Sequence, residues 1–351
     1  MGVEAPVSAP GLVVALLANY AWVALDHPGP GGVDRLLCTR RTRLGKSGQQ
    51  ILSGDRVQVD GIDWVAARGA VARVFERRSV LERPAVANVS RVVVVAALVE
   101  PVLDPLQLTR FLITAEATGQ TVQLVLSKAD ALPAADVEAW CERVRGWGYD
   151  PVAISTRTGL GLETLRQRLE QPGLTVLCGP SGVGKSSLLN ALMPALELRV
   201  GAVSGRLQRG RHTTRHVELF TLAPGALVAD TPGFNRPLLP LDPSDLPALF
   251  PELRAIQAGG GCRYSNCRHQ GDPGCGIGSA WDRVDLYGRC LADVEAEAER
   301  HGVPLRVEPG LRQRGSRLEP RLQSHLRQPS RRRQRQDLDH EEDQQEGGAE
   351  F

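Results

Sequence analysis

From Gly11 to Arg83 the apolar positions come in short alternating runs cut by turn residues. Val13–Leu17, Ala21–Leu25, Leu36–Cys38, Asp55–Val59, Trp64–Ala66 and Ala70–Phe75 read as strands, with breaks at His27–Gly32, Gly45–Gln49 and Asp60–Gly61. About five strands within roughly seventy residues predict a small β-barrel, and an oligonucleotide-binding (OB) barrel is the commonest unit of that kind. Residues 1–10 carry Pro6 and Pro10 and no periodicity, so a flexible lead is expected there. Arg35, Arg40, Arg41, Arg43 and Lys46 would give the barrel a basic rim suited to RNA, or form a merely solvated loop.

The pattern changes after Pro84, which reads as a hinge. Arg91–Leu98 is an almost unbroken β-branched run, and a strand apolar on both faces belongs in a parallel sheet covered by helices. Leu106–Thr118, Ala134–Gly146, Leu162–Leu169 and Ser186–Met193 have helical spacing. Thr121–Leu126, Val152–Ile154, Leu174–Cys178 and Ala226–Ala229 are the intervening strands, so an α/β domain is predicted. Leu238–Leu253 is proline-rich, and Asp282–Arg300 reads as an amphipathic helix. Beyond Pro309 periodicity stops, and a block of arginines is followed by a block of acids, the pattern of a disordered interaction tail. The expected division is therefore a lead over 1–10, a barrel over 11–84, an α/β domain over 85–239, a small module over 240–306 and a charged tail over 307–351.

Composition adds little to this division. The chain has 351 residues, 42% of them apolar and 23% charged, ordinary values for a globular protein with room for two or three domains. A formal net charge of +2 argues neither for nor against a polyanionic partner. No run reaches the ~18 apolar residues of a membrane span, and Glu4 without a basic segment argues against a signal peptide. Of the seven cysteines, Cys262, Cys267 and Cys275 crowd together, which fits a reducing compartment with one metal site better than a disulfide framework. A cytoplasmic, monomeric protein without a membrane partner is expected.

The chemistry starts at Gly179-Pro180-Ser181-Gly182-Val183-Gly184-Lys185-Ser186, followed by Ser187. Every fixed place of the phosphate-binding loop pattern is met, between a predicted strand and a predicted helix. Glycines let backbone N–H groups turn onto a polyphosphate, and the helix N-terminus adds partial positive charge. Lys185 would meet the β and γ phosphates and Ser186 would ligate Mg²⁺. Asp230-Thr231-Pro232-Gly233 ends the strand at Ala226–Ala229; Asp230 would act on Mg²⁺ and the Gly233 N–H on the γ phosphate. Before it, the basic stretch Arg209–Arg215 includes His212, Thr213 and Thr214, and a threonine there can offer its hydroxyl to Mg²⁺.

Guanine-type motifs lie on the other side of the phosphate loop. Ser127-Lys128-Ala129-Asp130 follows a buried strand, where Asp130 would accept the guanine N1 and N2 protons and the Lys128 stem would pack across the base. Ser155-Thr156-Arg157-Thr158-Gly159 resembles the segment that closes over guanine O6 with a backbone N–H. Ordinary small GTPases have the phosphate loop first. Here the order is rotated, and a circular permutation builds the same sheet because domain termini lie close together. Farther on, Cys262, Cys267, His269 and Cys275 match a closed Cys₃His zinc site, structural because no position is left for water. Arg263, Arg268 and Arg283 around it are compatible with phosphate contact.

The whole resembles the ribosome small-subunit-dependent GTPase A family of circularly permuted GTPases. The resemblance covers about residues 11–305 and rests on Gly179–Ser187, Gly210–Thr214, Asp230–Gly233 and the Cys262/Cys267/His269/Cys275 set. It implies a multidomain protein: an N-terminal OB-type barrel, a central permuted GTPase domain and a C-terminal zinc module with helices. It further implies GTP hydrolysis stimulated by the small ribosomal subunit late in that subunit's maturation, with barrel and zinc module on ribosomal RNA. Ser127 departs from the family's usual asparagine, and the tail has no part in the resemblance. Phe234 follows Gly233 where many GTPases place a water-orienting glutamine, so slow intrinsic hydrolysis is expected, with His212 orienting water on the ribosome. Two other readings stand beside this one: a phosphate-loop ATPase or kinase, and an RNA-binding assembly factor with a relic nucleotide site.

Overall fold

Alternation along the first strands leads directly to a closed barrel. In the computed structural model, β1 (Ser8–Leu16), β2 (Tyr20–Leu25), β3 (Arg35–Arg40), β4 (Arg56–Asp63) and β5 (Arg68–Val74) pair in the order β1-β2-β3-β5-β4, and β4 returns to β1. All pairings are antiparallel except β3 with β5, the arrangement of an OB-type barrel. Val13, Val23, Leu36, Val57, Val59 and Val71 fill its interior and are fully buried. The structure describes residues 7–40, 50–194, 217–230, 236–240, 242–258, 261–263, 267, 269–270, 274–277, 281–301, 311–314 and 317–320. They divide into a first unit of residues 1–142 and 150–237 and a second of 143–149 and 238–351.

Two expectations for the barrel change. Trp64–Ala66 is not a strand but the turn between β4 and β5, where the Asp63 carboxylate accepts from the Val65 and Ala66 N–H groups at 3.0 Å each. An Asx-type turn of this kind outcompetes the β preference of three apolar residues. The expected lead is partly ordered, since Ser8–Pro10 pair with Asp60–Gln58 in β1.

Pro84 lies between β6 (Val80–Glu82) and β7 (Ala85–Ala87), a short hairpin rather than a bare hinge. The hairpin is tied to the barrel loop by Ala87 N–H on Ser53 O (2.9 Å) and by Asn88 Nδ2 on Gly54 O (2.8 Å). That loop is itself braced by the buried Asp55, which takes Arg77 in a bidentate pair at 2.7 and 2.9 Å and the Leu52 N–H at 2.7 Å.

The α/β part contributes β8 (Val89–Ala97), β9 (Thr121–Ser127), β10 (Val152–Ala153), β11 (Gly173–Cys178), β12 (Glu218–Ala223) and β13 (Ala226–Asp230). Their order is β10-β9-β8-β11-β13-β12, parallel throughout except for β12, the last strand before the barrel, which sequence patterning misses. Glu218 of β12 pairs with Ala15 of β1, so sheet and barrel share one ladder. Helices α1 (Pro105–Glu116), α2 (Ala134–Gly146), α3 (Leu162–Leu169) and α4 (Lys185–Leu192) connect the strands. Asp104 caps α1, accepting the Leu106 N–H at 2.9 Å with Pro105 as the first helical residue. Val93, Val95, Val125, Leu165, Leu177 and Leu188 form the core beneath the phosphate loop.

In the second unit a 3-10 turn (Pro243–Leu249), α5 (Pro251–Ala258) and α6 (Val284–Arg300) surround a small core of Leu246, Phe250, Leu253, Tyr287, Leu291 and Val294. Phe250 meets Tyr287 edge-on at 5.2 Å and Trp281 at 5.9 Å. In the tail, β14 (Leu311–Arg314) and β15 (Arg317–Pro320) pair as a short antiparallel ladder where the sequence shows no periodicity.

Candidate nucleotide site and metal centre

The phosphate loop leaves the centre of the sheet. β11 lies between β8, which precedes it in the chain, and β13, which follows, and this change of direction opens a crevice at the carboxyl ends of the strands. Gly179 is required at the first turn: its φ is +142° and a Cβ would come within 2.2 Å of Val95 O on β8. Gly184, at φ +93°, caps α4, whose first turn carries Lys185, Ser186 and Ser187. The Lys185 ammonium bridges the Gly179 and Pro180 carbonyl oxygens, 2.7 Å from each. Beneath the loop, burial pushes the Cys178 thiol up to about 12, so it remains protonated and is no nucleophile. β13 runs parallel to β11 with Val176 opposite Ala229, which brings the backbone of Asp230 to the same edge of the sheet. His212, Thr213 and Thr214, and the Thr231–Phe234 stretch with Gly233, lie outside the described residues.

The guanine-type motifs converge on this edge from β9 and β10. Ile154 N–H bonds Leu126 O at 2.8 Å and Ala129 N–H bonds Ile154 O at 3.0 Å, which sets the two loops side by side. Ser155 is fully buried, and its hydroxyl oxygen accepts from the Arg157 and Thr158 N–H groups at 3.1 Å each. Its single proton goes to the Asp130 carboxylate. That hydrogen bond is the main cause holding the Asp130 carboxyl below the usual carboxylate range, aided by its own backbone N–H and the Arg157 guanidinium 3.6 Å away. Asp130 is thus kept ionised and oriented, as an acceptor for two N–H donors must be. Lys128 adopts a left-handed backbone (φ +59°), and its ammonium donates to Glu100 O in the loop after β8. Ser127 is buried, with Oγ 2.6 Å from Val183 O and 3.3 Å from Ala96 O. Sequence patterning misses Glu100 as a member of the site, and the contacts that Arg157 makes to Asp130 and the Val183 carbonyl makes to Ser127. Glu100 and Val183 act through backbone carbonyls, which leave no signature in residue type.

The four metal-type ligands also come together. Cys262 Sγ lies 3.3 Å from His269 Nδ1 and 3.9 Å from Cys275 Sγ, Cys275 Sγ lies 3.9 Å from His269 Nδ1, and all four ligand atoms, Cys267 Sγ included, fall within 4.8 Å of one another. A tetrahedral ion with metal–sulfur bonds of ~2.3 Å needs sulfurs about 3.8 Å apart, so the set fits a closed site. Backbone N–H groups of Gly276 and His269 reach Cys262 Sγ and Cys267 Sγ at 3.3 and 3.4 Å, contacts that favour thiolate. Arg283, whose place beside the cysteines is compatible with phosphate contact, is fully buried and paired with Glu252, its Nε 2.6 Å from Oε1. Its guanidinium carbon sits 4.6 Å from the Phe250 ring centre and 4.8 Å from that of Trp147. It is a structural cation. Arg268 lies outside the described residues.

A phosphate loop on the central strand, guanine-type loops from strands earlier in the chain and an antiparallel outer strand define a circularly permuted GTPase. The fold is shared by YjeQ from Thermotoga maritima (TM-score 0.69, 28% identity, 82% of this chain and 99% of that one). It is shared too by YloQ, described as a circularly permuted GTPase (TM-score 0.67, 27% identity, 84% and 98%). The chain belongs to the RsgA GTPase family, whose sequence model matches residues 74–239. The small ribosomal subunit biogenesis GTPase RsgA of Parasynechococcus marenigrum (strain WH8102) is 58% identical over 283 residues, 81% of this chain and 95% of that protein. Its namesake in Thermosynechococcus vestitus is 46% identical over 331 residues, 93% and 94%.

Proposed function

We propose that this chain hydrolyses GTP to GDP and phosphate as a maturation factor of the small ribosomal subunit, and that the subunit stimulates the reaction. The observation that carries the nucleotide assignment is Asp130, held ionised by Ser155 on the same sheet edge as the phosphate loop. A carboxylate in that place selects guanine over adenine, which presents no pair of donors there. This disfavours the ATPase reading. The ribosomal assignment follows the names of relatives as similar as 58% over most of both chains.

Gly179–Gly184 would wrap the phosphates, Lys185 would leave the loop carbonyls for the β and γ oxygens, and Thr156 would close over the base. Ser186, one of Thr213 and Thr214, and Asp230 would hold Mg²⁺, which neutralises charge developing on the phosphate oxygens. His212 would orient the attacking water and Gly233 would sense the γ phosphate. Cys262, Cys267, His269 and Cys275 would hold one structural Zn²⁺. Tyr20 and Trp22, half exposed and two residues apart on β2, with the exposed Arg35 on neighbouring β3, support an RNA-facing barrel. Bases stack on such aromatic rings, and this face of an OB barrel is where oligonucleotides lie. No described helix is long and apolar enough to cross a membrane, and we assign a cytoplasmic monomer.

The deciding experiment is GTP turnover with and without purified small subunits. A rise with subunits, lost in His212→Ala while GTP binding persists, is expected. Turnover indifferent to subunits refutes the ribosomal assignment.

A further inference from the structure

The serine that replaces the usual asparagine of the guanine motif has a visible partner. Ser127 Oγ lies 2.6 Å from the carbonyl oxygen of Val183 in the phosphate loop and 3.3 Å from Ala96 O at the end of β8. Both Ser127 and Val183 are buried, so this contact is shielded from competing water. A serine hydroxyl carries one proton, and both neighbours are acceptors. The proton is therefore committed to the protein backbone, chiefly to Val183. Guanine N7 and O6 are also acceptors, so a residue that reads them must donate, and Ser127 has nothing left to donate.

We propose that Ser127 is a positioning residue that locks the phosphate loop to the guanine loop and does not read the base. The peptide unit explains how. Val183 C=O and Gly184 N–H belong to one planar trans peptide and point in opposite directions. Anchoring the carbonyl on β9 fixes the Gly184 N–H on the other side of the loop. Gly184 is the N-cap of α4, at φ +93°, and without a Cβ it has little to resist rotation of that peptide. The Ser127 hydroxyl supplies the restraint. Lys128 adds a parallel tie from the same loop to Glu100 O, so consecutive residues of β9's end hold two separate loops.

This inference rests on Gly179–Ser187 being the phosphate site, and its test separates base from phosphate. Full-length wild type, Ser127→Ala and Ser127→Thr are titrated with GDP, ADP and inorganic pyrophosphate, which has no base. Ser127→Ala is expected to weaken GDP and pyrophosphate by the same factor, about ten-fold, since a buried carbonyl loses its donor. Ser127→Thr, which keeps the hydroxyl, restores both to within about two-fold of wild type. Weakened GDP with unchanged pyrophosphate means that Ser127 reads the base and overturns the proposal. So does no change in either, or a threonine that fails to rescue. If wild type binds ADP as well as GDP, the guanine reading fails, while the pyrophosphate comparison still decides the role of Ser127.

Discussion

Replacing Glu252 by glutamine strips the counter-charge from Arg283 without changing shape. Arg283 is fully buried, its Nε lies 2.6 Å from Glu252 Oε1, and Nη2 meets Oε2. Its remaining surroundings are the rings of Phe250, Trp147 and Tyr149 at 4.6, 4.8 and 5.8 Å and, through space, the Asp282 carboxylate, which is itself hydrogen-bonded to Arg143 and Trp147; Nη1 has no hydrogen-bond partner among the described residues. Ring faces offset part of the charge, about 1–2 kcal/mol, but not the whole desolvation of a guanidinium. Removing one member of a buried pair costs about 3–5 kcal/mol. The Glu252 side chain keeps 15% exposure, so water can replace part of the pair and the low end, about 3 kcal/mol, applies. With a urea slope of about 1–3 kcal/mol/M, the midpoint for the second unit falls by about 1–3 M. Trp147 and Trp281 belong to that unit and Trp22, Trp64 and Trp140 to the first, so its unfolding is read as the part of the tryptophan fluorescence change that Glu252→Gln moves to lower urea. The decisive comparison is Glu252→Gln with Arg283→Met, which removes both charges and keeps an apolar stem against the rings. It should recover most of the loss, because the cost lies in the uncompensated charge and not in the missing contact. A single variant with an unmoved midpoint, or a double variant no more stable than the single, refutes the reasoning.

Three further outcomes are expected. Asp130 is depressed chiefly by the Ser155 hydroxyl, so guanine binding by the carboxylate persists through neutral pH and is lost as pH falls through the depressed value. In Ser155→Ala that loss moves to higher pH, measured as GDP affinity between about pH 7 and 4; an unshifted profile removes Ser155 from this role. If Cys262, Cys267, His269 and Cys275 hold zinc as proposed, a zinc chelator, or Cys262→Ser, should melt the second unit at lower temperature while GDP affinity changes by less than about two-fold, read by circular dichroism and GDP titration. Trp22→Ala should weaken binding to small subunits by about 5–50-fold without altering turnover of the free protein, as loss of one stacking ring predicts.

The barrel, the parallel sheet and most helices were legible because each buries a face whose period matches its backbone. Val92–Val95 has the unbroken apolar pattern of a central strand, and Gly179–Ser186 meets every fixed place of the phosphate-loop pattern. Trp64–Ala66 was misread because a side-chain-to-backbone turn at Asp63 outweighs local β preference. β12 was missed because its place is fixed by partners on β13 and β1, not by its own short pattern. The role of Arg283 is illegible for a related reason: an arginine beside cysteines is compatible with phosphate contact until its distant partners, Glu252 and Trp147, are known.

The sequence by itself determined the chemistry of this protein. Phosphate loop, guanine motif and candidate metal ligands are local strings whose residue types and spacing match the groups they would hold. Their rotated order was legible as well, since order is a property of the chain. Only the tertiary structure decided what Ser127 does. Its partner, Val183 O, is a backbone atom 56 positions away that carries no residue signature, and is reached because β9 and the phosphate loop end at one sheet edge. Side-chain motifs are written in the sequence. Contacts between a side chain and a remote carbonyl exist only after the sheet has brought the two together.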